Sequence, residues 1–298
     1  MSSADATLLE DLRSIGERTG VSVDTVVVDD RDDWEPVGRA LAPGSTTVAE
    51  FVERARSTGG APSVEVAAML AWKAYSYVCA QLVVGSWAAH QRVPDLTAAN
   101  TAIRFDDATG IPQLALVEPR IFVAHDDLAA DHDHAVPLHT ESLLSTAVST
   151  WWVEHFEAAI ERWRVHADGV RVGRRGLTAF AVSQATSIAG ISGGGDRLDQ
   201  HAAIVAWTHA LPESQREMAP IVEQRTGEEW LPMVLRTACC RQYELDQTSY
   251  CISCNLLDDD ERTKLMTADG RDWRPVALPL VTTTTTTSRW ANPPRSTT

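Results

Sequence analysis

The sequence predicts an α+β fold, in which an N-terminal mixed α/β part with a small antiparallel sheet precedes a mainly helical C-terminal part. Long segments with apolar residues at helical spacing predict the helices, and short β-branched runs between turn residues predict the sheet. Four of the five cysteines lie close together near the C-terminus, in a loop at 236–256. We expect subdomains at 1–135 and 136–280, followed by a disordered tail at 281–298.

Length and charge bound the function. A chain of 298 residues with 44% hydrophobic residues is long enough for one large core or two smaller ones. The formal charge of −15 argues against a general affinity for nucleic acid or anionic lipid, because both require a surplus of Lys and Arg. We therefore expect neither partner.

The most apolar segment, at about 64–89, is interrupted by Glu65, Lys73 and Gln81. A membrane span requires roughly 20 predominantly apolar residues, so we expect no membrane span. The first residues are acidic where a secretory signal would carry positive charge. Together these features predict a cytoplasmic protein.

The N-terminal elements follow from local patterns. Apolar spacing predicts a helix at 7–19, and a β-branched run predicts a strand at 21–28. Thr47 with Glu50 three residues later resembles a capping box, so a second helix is predicted at about 47–58.

A long helix and a sheet are predicted next. Ser63 is suited to cap a largely buried helix over 64–90, which Pro94 closes. Alternating or β-branched runs separated by turns predict three strands, at 101–105, 113–117 and 120–124. We expect this sheet to pack on the long helix.

The second half is predicted to be mainly helical. Apolar periodicity predicts four helices, at about 140–166, 175–190, 196–210 and 213–225. The apolar segment 230–238 is a strand or buried segment leading to the cysteines. The Thr-rich run at 282–287 has little to bury, which predicts the disordered tail.

The clustered cysteines have the spacing C-C-x10-C-x2-C and are Cys239, Cys240, Cys251 and Cys254. Soft thiolates suit iron–sulfur clusters, and a [2Fe–2S] cluster takes two thiolates on each iron. Zinc sites more often have C-x2-C at both ends, and this motif has it at one end. A [2Fe–2S] cluster is favoured, with structural zinc second and a redox dithiol third. The fifth cysteine, Cys79, is expected to be a buried hydrophobe.

The motif resembles that of the FhuF-like ferric-siderophore reductases, which carry an Arg shortly before the Cys pair and a Tyr soon after it. Arg236 and Tyr243 occupy these positions. The resemblance extends more weakly to the helices near 64–90 and 148–163. Family members often have Gly within the C-x2-C turn, whereas this turn is Ile252-Ser253.

The resemblance implies one-electron reduction of Fe(III) in an imported siderophore, of hydroxamate type, by a [2Fe–2S] cluster. Hydroxamate oxygens are hard donors that hold Fe(III) better than Fe(II), so reduction releases iron. The chain has no complete dinucleotide or flavin fingerprint, so an external donor such as a ferredoxin is expected. Arg236, Arg241 and Tyr243 flank the thiolates and are candidates for tuning or docking. The alternatives are a zinc-stabilised siderophore-binding protein and an electron carrier or iron sensor.

Four weaker signals have simpler interpretations. The basic run 162–175 could dock a ferredoxin or an anionic chelator, although a solvated helix end is favoured. The His- and Asp-rich segment 125–139 is expected to be a solvated loop rather than a metal site. The Gly-rich segment 192–196 is interpreted as a linker, and the pair Trp151–Trp152 as core.

Overall fold

The computed structural model describes residues 34–105, 112–164, 172–194, 196–245 and 250–275. The predicted helix at 7–19, the predicted strand at 21–28 and the predicted tail at 281–298 lie outside the described residues. Within the described ranges the protein combines helices with three small sheets, which confirms the α+β prediction.

The first described elements are strand β1 and two helices. β1 is Glu35–Pro36, α1 is Val37–Ala40 and α2 is Thr47–Gly59. The predicted helix is confirmed, but the predicted capping box is wrong, because α2 is capped by Thr46. The Thr47 hydroxyl instead donates to Glu35 Oε2 at 2.6 Å, so it ties α2 to β1.

The long central helix is also confirmed. α3, Val64–Ala80, continues through a wider π-helical turn, Gln81–Gly85, into α4, Ser86–His90. The Ser63 hydroxyl accepts a hydrogen bond from the Val66 N–H at 3.3 Å, as its capping role predicts. Gln91 ends the helix with a left-handed backbone conformation, φ 54°.

Two three-stranded sheets flank this helix. Their strands are β2 Arg92–Pro94, β3 Thr101–Phe105, β4 Pro112–Leu116, β5 Ile121–Ala124 and β6 Ala135–Leu138, arranged as β1-β3-β4 and β2-β5-β6. Leu114 and Leu116 share the hydrophobic core with the long helix, so the sheet packs on it as predicted. The prediction of a purely antiparallel sheet is wrong in one respect: β5 and β6 are parallel.

The C-terminal part has helices and a third sheet. The helices are α5 Glu141–Trp163, α6 Arg174–Ser192, α7 Arg197–Ala210, α8 Glu213–Arg216 and α9 Asp259–Ala268. The prediction of a helix over 213–225 is wrong beyond Arg216. Residues there form β7, Ile221–Thr226, which pairs antiparallel with β8, Glu229–Val234, and with β9, Asp272–Pro275. The predicted strand before the cysteines is therefore confirmed over β8.

One continuous hydrophobic cluster fills the interior. Its largest fully buried side chains include Trp72 and Tyr75 of α3, Trp163 of α5 and Phe180 of α6. These residues lie on both sides of residue 135, and the division into two subdomains stays a prediction. The helix of residues 64–90 is long and apolar enough to cross a membrane, but 78% of its most apolar window is buried, as in a core helix of a soluble protein.

Candidate functional site

The cysteine loop consists of two chain segments held together by the backbone. β8 ends at Val234, and the chain continues directly to Cys239 and Cys240. The Arg236 N–H donates to the Ser253 carbonyl at 2.9 Å, which joins the segment before the first cysteines to the turn that carries the last two. Within that turn the Cys254 N–H donates to the Cys251 carbonyl at 2.9 Å. Residues distant in sequence are thus placed side by side.

The four thiols form two contacting pairs. Cys239 lies in hydrogen-bonding contact with Cys254, and Cys240 with Cys251. Cys240 and Cys254 are each 4% exposed, whereas Cys239 and Cys251 are half-buried. All four are free thiols, so the contact is not a disulfide. The loop therefore unites the four cysteines that the motif singled out.

Arg236 lies against one of these pairs. Its Nη1 is 3.6 Å from Cys251 Sγ and 3.8 Å from Cys240 Sγ, and its guanidinium also covers the Phe180 ring at 5.1 Å. The pKa of the Cys240 thiol falls to about 5, because Cys251 donates a hydrogen bond to it and Arg236 and Lys73 add positive charge, against the opposing effect of burial. Negative charge on sulfur is favoured here.

The other pair has a backbone donor. The Arg241 N–H donates to Cys239 Sγ at 3.2 Å, from a residue in the left-handed conformation at φ 58°. The Arg241 side chain turns away to Glu244, with Nε 2.6 Å from Oε1. Arg241 thus contacts a thiol through its main chain, which the sequence interpretation had not distinguished from a side-chain role. Burial raises the pKa of Cys239 to about 11.

Tyr243 contributes a ring contact rather than a thiol contact. It stacks on Tyr250, with ring centroids 4.7 Å apart. Tyr250 directly precedes Cys251 and is 42% exposed. The aromatic pair covers the loop at its solvent side, which is compatible with the predicted tuning or docking role.

Ser253 stands where the resemblance leads one to expect Gly. Its hydroxyl lies 4.0 Å from Cys251 Sγ, so it provides a weak additional donor to that sulfur. The departure from the family pattern therefore adds a polar contact to the pair that Arg236 already approaches.

Arg262 is a site residue that sequence reasoning missed. It projects from α9, is 4% exposed, and donates to three carbonyls of the cysteine turn, at 3.2 Å to Ile252, 3.1 Å to Cys254 and 3.2 Å to Leu257. A buried guanidinium that satisfies three carbonyls fixes the shape of the C-x2-C turn. Nothing in the polar sequence of α9 distinguishes Arg262 from its neighbours, so only the fold reveals its role.

The donor set was compared with the needs of a metal centre. Within the described ranges, no three or more His, Cys, Asp or Glu side chains converge as ligands of a single metal ion. The thiols instead lie in the two pairs Cys239–Cys254 and Cys240–Cys251. Two pairs match the two-plus-two thiolate requirement of a [2Fe–2S] cluster better than the four ligands around one point that zinc requires.

The weaker sequence candidates have structural explanations. Arg174 pairs with Glu157 and Glu161 of α5, which neutralises part of the basic run at 162–175; residues 165–171 lie outside the described residues. In the His-rich segment, Asp127 pairs with Arg92 at 2.8 Å. Trp151 and Trp152 are buried, as the core interpretation predicts.

The Gly-rich segment joins α6 to α7. A Cβ at Gly193 would lie 2.1 Å from Ala203 Cβ, so this glycine permits the two helices to pack closely. Asp196 caps α7 by accepting hydrogen bonds from the N–H groups of Leu198 and Asp199. These contacts give the segment a structural role between the helices.

Comparisons with known proteins give no relative. No protein-family model matches the chain, and no curated protein or solved structure matches it. The functional interpretation therefore depends on the cysteine loop and its surroundings.

Proposed function

We propose that this protein is a ferric-siderophore reductase that resembles the FhuF-like family and holds a [2Fe–2S] cluster through Cys239, Cys240, Cys251 and Cys254. The observation that carries the proposal is the pairing of these thiols beside a guanidinium, with Arg236 Nη1 within 3.8 Å of two sulfurs. Paired thiols with nearby positive charge are suited to an anionic, electron-accepting centre.

The surrounding residues support a redox role. A bound [2Fe–2S] cluster supplies one electron at a time. Arg236 stabilises negative charge on the sulfurs of Cys240 and Cys251, and the Arg241 N–H does the same for Cys239. Arg262 holds the C-x2-C turn in place, which limits rearrangement between oxidation states.

The substrate chemistry follows from the electron balance. One electron passes to Fe(III) of the chelate and gives Fe(II), and no covalent bond of the chelator forms or breaks. Hard hydroxamate oxygens bind Fe(II) far less tightly, so the iron leaves. We propose that an external protein such as a ferredoxin supplies the electron and that the reaction takes place in the cytoplasm, where thiols stay reduced.

The test is reoxidation by a chelate. Anaerobic protein reduced with dithionite and freed of excess reductant is mixed with ferric desferrioxamine B, and the visible bands of the oxidised protein are followed. We expect reoxidation with the ferric complex and none with the gallium complex, which accepts no electron. Release of Fe(II) to a ferrous chelator should match the electrons lost. A reduced protein that ferric hydroxamates leave unchanged would refute the reductase proposal.

The two alternatives predict different results. A zinc-stabilised siderophore-binding protein would be colourless and would carry one zinc, because zinc thiolates lack visible charge-transfer bands. An electron carrier or iron sensor would be coloured, but its reduced form would pass electrons to a protein acceptor and not to ferric chelates.

A further inference from the structure

A cavity of about 590 Å³ opens beside the cysteine loop. Its walls come from the start of α3, the start of α6, the region of α8 and the segment before Cys240, and its polar lining comprises Glu65, Arg175, Ser214, Glu217, Thr237 and Arg241. Ligand pockets typically hold roughly 300–1,000 Å³, so the cavity has room for a small chelate.

The cavity reaches one cysteine. Cys239 is the member of the four-cysteine set that lines it, and Ala238 and Thr237 lie beside it. A molecule bound in the cavity would therefore lie against the Cys239 side of the loop, opposite the side where Arg236 covers Cys240 and Cys251. This is the shortest approach from a cavity to the thiols among the described residues.

A second cavity, of about 390 Å³, adjoins the first. The two share Arg175, Ser214 and Met218 as lining residues. The second is largely apolar, with Trp152 and Phe156 in its wall. Together they offer a polar chamber beside the thiol and an apolar extension, which suits a metal complex with a hydrocarbon linker.

The charges of the first cavity are balanced rather than positive. Two arginines, Arg175 and Arg241, oppose two glutamates, Glu65 and Glu217. Arg241 is already paired with Glu244 at 2.6 Å, which leaves the immediate surroundings with a small excess of carboxylate. Such a site gives no net attraction to a highly charged anion.

We infer that this cavity is the chelate-binding site and that it selects ferric complexes of low net charge over trianionic ones. The inference rests on the proposed function and adds the location and charge preference of the substrate site. Three hydroxamates cancel the charge of Fe(III), whereas three catecholates leave a charge of −3. Balanced side chains therefore accept the first class and provide no compensation for the second.

The experiment measures binding without electron transfer. Isothermal titration calorimetry of the purified protein, with its metal centre, uses gallium desferrioxamine B as the low-charge probe and gallium enterobactin as the trianionic probe. We expect the first to bind more tightly. Glu217→Lys should reverse the local charge, strengthening gallium enterobactin binding by about fivefold to tenfold and weakening gallium desferrioxamine B binding.

A matched control is available on the same short helix. Glu213, of α8, is exposed and is not among the residues lining either cavity. Glu213→Lys makes the same charge change and should leave both affinities within about twofold, since exposed charges more than a Debye length away are largely screened. Equal effects of the two substitutions, or no binding of either probe to the unaltered protein, would overturn the inference.

The result is separable from the test of the proposed function. Because gallium accepts no electron, its binding reports on the cavity even if the protein reduces nothing. Gallium binding that depends on Glu217, combined with no reoxidation by ferric chelates, would keep the site and refute the reductase. Reoxidation without dependence of binding on Glu217 would do the reverse.

Discussion

Two cysteine sulfurs in this protein are almost equally hidden from solvent and have opposite acid–base behaviour. Cys79 is 1% exposed and Cys240 is 4% exposed. Burial raises the pKa of Cys79 far above its usual value, whereas the hydrogen bond from Cys251 and the nearby cations lower the pKa of Cys240 to about 5. The partners of a buried thiol, more than its burial, decide whether it can serve as a ligand.

The surroundings of Cys79 show what is missing there. Its Sγ lies 3.7 Å from His155 Nε2, which also lies 2.7 Å from the Tyr75 hydroxyl. Burial lowers the pKa of His155 to about 4, so the imidazole is neutral at pH 7 and offers no positive charge to a thiolate. The contrast predicts that Cys79 is structural and the four loop cysteines are ligands.

The largest expected effect comes from removing a ligand. Cys251→Ser or Cys254→Ser should abolish or grossly alter the visible and EPR spectra, because serine does not replace a soft thiolate. Cys79→Ser should leave the spectrum intact, since its thiol contacts His155 and Tyr75 rather than the loop. An unaltered spectrum in the Cys251→Ser protein would contradict the ligand assignment.

Removing the support of the turn should have the next largest effect. Arg262→Ala leaves three carbonyls without their buried donor, and we expect a loss of about 3 kcal/mol in the free energy of unfolding. Urea denaturation under anaerobic conditions measures it. Lys264→Ala, on the exposed side of the same helix, should change stability by no more than about 0.5 kcal/mol. Equal stability of the two variants would show that Arg262 does not hold the turn.

The core cluster should respond to pH. The pKa of His155 is about 4 in the folded protein, below its value of 6.5 when unfolded, so the unfolded chain binds more protons between these limits. Stability from this group is complete above pH 6.5 and falls as pH decreases towards 4. Between pH 7.5 and pH 5 the loss should be about 2 kcal/mol. Urea denaturation should show a smaller pH dependence in His155→Gln; an unchanged dependence would exclude His155 as its source.

The smallest effect sharpens the view of Cys240 and Cys251. Arg236→Gln removes a positive charge beside two sulfurs, which should lower the reduction potential. For about 1 kcal/mol of differential stabilisation the shift is roughly 40 mV. Arg236→Lys keeps the charge and should shift less. Redox titration monitored in the visible range measures both, and a rise in potential for Arg236→Gln would contradict the electrostatic role.

The parts of the fold that follow local patterns were predictable. Ser63 as a cap, the helix of residues 64–90 and the strand at 101–105 follow from spacing and turn residues alone. The strand β7 was missed because Ile221 and Val222 continue an apolar pattern that also fits a helix. The signal that could have revealed it is Gly227, which has φ 65° in the two-residue turn between β7 and β8.

The site was predictable to a different extent. Four thiolates within a short segment already indicated a ligand set, and Arg236 was identified from its position next to them. Arg262 and Lys73 could not be found, because their places beside the loop depend on how α9 and α3 pack in three dimensions. The parallel pairing of β5 with β6 escaped prediction for the same reason.

The central claim is that the two thiol pairs hold a [2Fe–2S] cluster. Visible and EPR spectra of anaerobically purified protein, before and after dithionite, with iron, sulfide and zinc counted on the same sample, test it most directly. We expect visible charge-transfer bands, about two irons and two sulfides per chain, and an S = 1/2 signal after reduction. A colourless protein with one zinc per chain would contradict it.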